Sequence, residues 1–162
     1  MSARRVRLLA LGAVALAAAL AAVALVASGA GGRPATRAEY RAEVAQARDR
    51  VDYALGRITR AKTYDDLTGR LEEAAAVADK AADDLESAGA LRGFEDEHEQ
   101  LVRALRALSA EISGTADTLR DPGFQDVLPL IRTMSFPQWT AVNRALGRLD
   151  RRGIRVQPLS RH

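Results

Sequence analysis

The chain has 162 residues, 48% of them apolar but only 4% aromatic, with no cysteine and a formal charge of +3. The missing cysteines exclude disulfides, thiolate metal sites, thiol nucleophiles and lipid attachment through sulfur. A core with so few rings has to be built from Ala, Leu, Val and Ile, which favours closely spaced helices over a sheet sandwich.

The basic excess sits at the start of the chain. Arg4, Arg5 and Arg7 are three of the 24 basic residues, no acid precedes Glu39, and the remaining bases balance the 21 acids. A neutral body argues against nucleic acid as a partner, because phosphate binding needs a concentrated basic face. Lysine occurs only at Lys62 and Lys80, and with abundant alanine this points to a GC-rich bacterial genome.

Residues 1–7 read as a basic cytoplasmic leader, followed over 8–26 by Leu, Ala and Val with one Gly and no charge. At 1.5 Å per residue that run covers about the 30 Å of a bilayer's hydrocarbon. The positive cluster before it predicts a cytoplasmic N-terminus and an extracytoplasmic body in the cell membrane. A signal-anchor is the reading its length favours, since a cleaved signal peptide has an apolar core of about 7 to 15 residues. The alternative is secretion after cleavage near Ala30, where Ser28-Gly29-Ala30 supplies small residues. Residues 27–35 form a Gly-rich linker.

A helical body is expected over 36–153. Thr36 with Glu39 makes a capping box, and Tyr40, Val44, Ala47, Val51, Ala54 or Leu55, and Ile58 fall on one helical face to about Lys62. Thr63 with Asp66 repeats the signal, and Tyr64, Leu67, Leu71, Ala74, Ala78, Ala81 and Leu85 carry a second helix to Gly89, which supplies a left-handed stop. The third helix has a near-unbroken heptad seam of Phe94, His98, Leu101, Leu105, Leu108, Ile112, Thr115 or Ala116, and Leu119. Asp121-Pro122-Gly123 stops it. The fourth segment is interrupted by Pro129 and Pro137, giving a short helix from about Gly123 to Met134, a break, and a second helix to about Arg152 closed by Gly153. Residues 154–162 read as a flexible tail.

The fold class is therefore all-α: an N-terminal membrane helix, then an antiparallel up-down-up-down four-helix bundle whose fourth helix is broken near Pro137. The second helix is acidic while the first and last are basic, so it is expected beside both. Its alanine-rich seam could also close by self-association.

Chemistry is sparse. Glu95-x-x-His98 puts two metal-ligand types on one face, and Glu99 adds a third, but di-iron carboxylate bundles need a second such set and the other histidine is His162. Glu95, His98 and Glu99 thus stand as weak metal candidates, with acids complementing the helix dipole as the plainer account. Ser109, Ser113 and Ser135 have no neighbouring base in sequence. No cofactor motif appears, and no enzyme is expected. Phe136 and Trp139 gather at the helix break as a possible partner surface. The sequence reads as a non-enzymatic protein-interaction or self-assembly module held at a membrane, or alternatively as a sensory or ligand-binding bundle that signals through a partner protein.

Overall fold

In the computed structural model the described residues are 34, 36–120 and 134–160. The chain separates into two units, Met1–Gly32 and Arg33–His162, and the second holds all of the described residues. The span expected over 8–26 falls outside them, as does the short helix expected from about Gly123 to Met134 except for Met134 itself, which is not helical. No helix among the described residues is long and apolar enough to cross a membrane.

Four helices and no strand occur among these residues: α1 (Arg37–Ile58), α2 (Tyr64–Ala88), α3 (Glu95–Leu119) and α4 (Pro137–Arg151). Each boundary has a local cause. Thr36 and Glu39 exchange both hydrogen bonds of a capping box at the start of α1. Thr63 accepts from the Asp66 amide at the start of α2, and Gly89, at φ 77°, ends that helix. Pro137 stands at the start of α4 after an extended Phe136, as the residue before a proline is held out of the helical region. At the other end of α4, Ile154 N–H donates to Leu149 C=O and Gly153 N–H to Asp150 C=O, both at 2.9 Å. With Gly153 at φ 91° this is a Schellman closure, and its apolar contact joins the buried Leu149 and Ile154.

Close packing joins α1 to α2, α2 to α3 and α3 to α4. Pairs between the helices fix the direction: Arg50 meets Asp84 while Arg57 meets Glu73, and Arg106 meets Asp83 and Glu86 while Arg120 meets Glu72. Rising numbers on one helix pair with falling numbers on the next, so neighbours are antiparallel. Such exposed pairs contribute at most about 1 kcal/mol each and act mainly on register.

The expected seams are buried. Tyr40, Val44, Ala47, Val51, Leu55 and Ile58 line α1, and Leu101, Leu105, Leu108, Ile112, Ala116 and Leu119 line α3, all at 5% exposure or less. On α2, Ala75 and Ala82 are buried beside the expected stripe because this helix is covered by α1 on one side and α3 on the other. The alanines that could have sought a second copy, Ala74, Ala78, Ala81 and Ala82, are already covered within one chain.

Two expectations need correcting. The acidic α2 does lie beside α1, but the basic α4 packs on α3, with Arg152 on Glu97 at 2.6 Å. The flanks of α2 are taken by α1 and α3, so α4 finds its close packing on α3. The segment after Gly153 is also not a free tail. Ile154 and Leu159 are 1% and 2% exposed, and residues 154–160 run in the seam between α1 and α4. Side chains from both helices hold them, so this segment supplies the apolar fill on the side of the bundle where α1 and α4 do not pack closely.

Candidate functional site

Where α4 begins, Met134, Phe136, Pro137, Trp139 and Thr140 face Leu55, Ile58 and Thr59 at the end of α1 across a groove of about 370 Å³. Proline creates it. Because the residue before a proline is held out of the helical region, Phe136 is extended and α4 starts only at Pro137, which leaves the Phe136 and Trp139 rings beside the end of α1. Met134, Phe136 and Trp139 are each half-buried and rest against the core, so the aromatic pair both closes the core and lines the groove. Trp139 Nε1–H donates to the Ser160 carbonyl at 3.0 Å, and Ser160 forms the far edge.

No side chain within α4 caps its N-terminus. The Gln138 amide instead donates to Glu111 of α3 at 2.9 Å, a carboxylate placed where the helix dipole favours negative charge. This tertiary cap fixes the height of Trp139 and Phe136 against α3.

The opposite end of the bundle carries the weak metal candidates, and the structure does not gather them. His98 is buried and its Nδ1 lies 3.1 Å from the Tyr40 hydroxyl, while Glu95 and Glu99 are exposed and Glu99 pairs with Arg103 at 3.7 Å. No group of three His, Asp or Glu that could hold a metal occurs among the described residues. His98 belongs to the seam with Leu101 and Leu105, which turns the adjacent Glu99 outward, while Glu95 shares its side but stands exposed at the first position of the helix. Around it the Tyr40 and Phe94 rings meet at a tilt of 44° with centroids 6.2 Å apart, and the Arg152 guanidinium sits 4.4 Å from the Phe94 ring centroid while holding Glu97. The Arg152 hydrogen bond keeps the Glu97 carboxyl below its ordinary range. Burial pushes the Tyr40 phenol upward, with Glu97 and Glu43 adding to the effect.

Of the serines considered as nucleophiles, Ser109 donates to the Ala75 carbonyl at 2.8 Å and so ties α3 to α2, Ser113 is exposed, and Ser135 lies on the groove wall. The structure places Phe136 and Trp139, the residues singled out in the sequence, on the groove wall, while Arg48, Asp52 and Asn143, which hold the segment after α4, were not singled out. The signal available was the spacing of Ile154, Val156 and Leu159, an apolar set too well formed for a solvated tail.

Comparison with protein families, with curated proteins and with solved structures finds no match to this chain.

Proposed function

We propose that this chain is a membrane-tethered, extracytoplasmic helical bundle that acts as a protein-interaction module, without catalysis of its own, and that the groove at Phe136 and Trp139 is its docking surface. One observation carries the reading: among the described residues the helical seams are satisfied within a single chain, whereas an apolar groove with two half-buried aromatic rings lies uncovered at one end. Rings of this kind supply much of the binding energy in protein interfaces. The apolar, uncharged run over 8–26 behind a basic leader supports the tether and its orientation, and the charge balance of the body supports a protein partner over nucleic acid.

The test has two parts. Light scattering on residues 33–162, the compact second unit, is expected to give a monomer. A photo-crosslinking amino acid at Phe136 in the full chain is expected to form one discrete adduct with another protein in the membrane fraction, lost in Trp139→Ala and absent when the crosslinker replaces Lys80. A dimer, or adducts indifferent to position, would overturn the reading.

A second reading rests on the groove's volume, which lies in the range of small-molecule sites. A sensory bundle would bind an apolar ligand there and signal through a partner. Saturable quenching of Trp139 by a small apolar ligand with no protein partner present would favour it.

A further inference from the structure

Residues 158–160 are held almost entirely through their backbone. Arg48 Nε and Nη2 both donate to the Pro158 carbonyl, at 3.1 and 2.6 Å. Asn143 Oδ1 accepts from the Leu159 amide at 2.6 Å while its Nδ2 donates to the Leu159 carbonyl at 3.2 Å. Asp52 Oδ1 accepts from the Ser160 amide at 2.6 Å, and Trp139 donates to the Ser160 carbonyl. These groups come from α1 and α4, and they address main-chain atoms that any extended peptide carries. Selectivity comes from two further contacts, the buried Leu159 side chain and the Ser160 hydroxyl, which donates to Asp52 Oδ2 at 3.0 Å. Proline at 158 fits because no partner for an amide hydrogen is needed there.

We propose that the seam between α1 and α4 is a binding site for an extended peptide, that residues 154–160 occupy it in cis, and that a partner protein supplying a segment of the same Pro-Leu-Ser chemistry takes their place. The proposal rests on the reading of the chain as a protein-interaction module and names the form of its partner. Two features favour a replaceable occupant over a purely structural strap. Apolar fill alone would need Ile154 and Leu159, yet three polar side chains and an indole are committed to the backbone of three residues. The site also continues: Ser160 and Trp139 border the 370 Å³ groove, so a longer peptide gains the surface of Met134 and Phe136 beyond the position of Ser160. Main-chain hydrogen bonding with side-chain pockets is the general logic of extended-peptide recognition.

The experiment uses the full chain in detergent, a variant ending at Arg155, and a fluorescent peptide spanning residues 156–162, read by anisotropy. A tethered tail competes at an effective concentration on the order of 1 mM, so a peptide with Kd on the order of 0.1 mM should bind the shortened variant about tenfold more tightly than the full chain. Asn143→Ala in the shortened variant should weaken binding about tenfold, as should aspartate at the position of Leu159 in the peptide. A shortened variant that keeps its helical spectrum and cooperative melting but gives no saturable binding would overturn the proposal. Should shortening unfold the bundle, Leu159→Ala in the full chain must raise binding of the added peptide, and no rise has the same meaning. A full chain that is dimeric, and becomes monomeric on shortening, would also overturn it by making the occupant a second copy. Failure of the peptide with crosslinking at Phe136 intact would sink this site alone, whereas failure of both would sink the docking reading with it.

Discussion

The Tyr40 hydroxyl lies 3.1 Å from Nδ1 of His98 and joins the first turns of α1 and α3 inside the bundle. Tyr40 is fully buried, and burial holds its phenol neutral well beyond the ordinary value of 10.0. A group whose acidity is suppressed on folding stabilises the fold fully below its unfolded value, and that contribution is lost as the pH rises above about 10. Tyr40→Phe is expected to cost about 1 kcal/mol near neutral pH and to flatten the alkaline loss of stability. Urea unfolding at pH values on either side of the phenol's ordinary range checks this, and an unchanged alkaline slope would exclude Tyr40 as its source.

Glu97 gives the opposite sign. Its carboxyl is held below the ordinary value of 4.5 chiefly by the Arg152 hydrogen bond, so its contribution is present above that value and lost as the pH falls through the lower folded one. Glu97→Gln is expected to soften acid unfolding only in part. Asp66 and Asp84 are depressed as well, first through hydrogen bonds from Arg70 and Lys80 respectively, and they keep their share. Thermal melts along an acid series read the difference.

Gly153→Ala tests the hinge between α4 and the segment that follows. Its φ of 91° is strained for any side chain, although the nearest atom to an added Cβ, Arg37 Nη1, is 3.6 Å away and leaves room. The cost is therefore one of backbone conformation, about 1 kcal/mol, and a few degrees in Tm. Hydrogen exchange should quicken at the Ile154 amide, which donates to Leu149. An unaltered exchange rate would mean that the segment is held without the help of this turn.

Ala78 is wholly buried on α2, where small side chains let the helices approach closely. Ala78→Leu is expected to destabilise the bundle by about 1 to 3 kcal/mol through overpacking, despite the added apolar area. Tyr53, 68% exposed, is the matching control, and Tyr53→Ala should change stability by no more than about 0.5 kcal/mol. Equal effects at both positions would contradict the packing described for α2.

The lone tryptophan reports on the groove directly. Half-buried and bonded through Nε1 to Ser160, Trp139 should emit between the positions of a core indole and a free one. Ending the chain at Arg155 should shift that emission to the red. A core-like spectrum unmoved by the shortening would place Trp139 in the interior and remove it from the docking surface.

The bundle was legible from the sequence wherever the deciding interaction is local. Thr36 with Glu39, Thr63 with Asp66, Gly89, Pro137 and Gly153 set helix ends through atoms a few residues apart, so each could be read from spacing. The apolar faces from Tyr40 to Ile58 and from Phe94 to Leu119 were legible for a related reason, because one helical period fixes which residues share a side. The candidate surface at Phe136 and Trp139 followed from the same proline. What the tertiary structure alone decided are relations between residues far apart in the chain. Glu111 caps α4, His98 turns to Tyr40, α4 packs on α3 and not on α2, and Arg48, Asp52 and Asn143 converge on residues 158–160. Each of these side chains has an ordinary solvated role available in its own helix, and only the antiparallel packing of the four helices brings the partners within hydrogen-bonding distance.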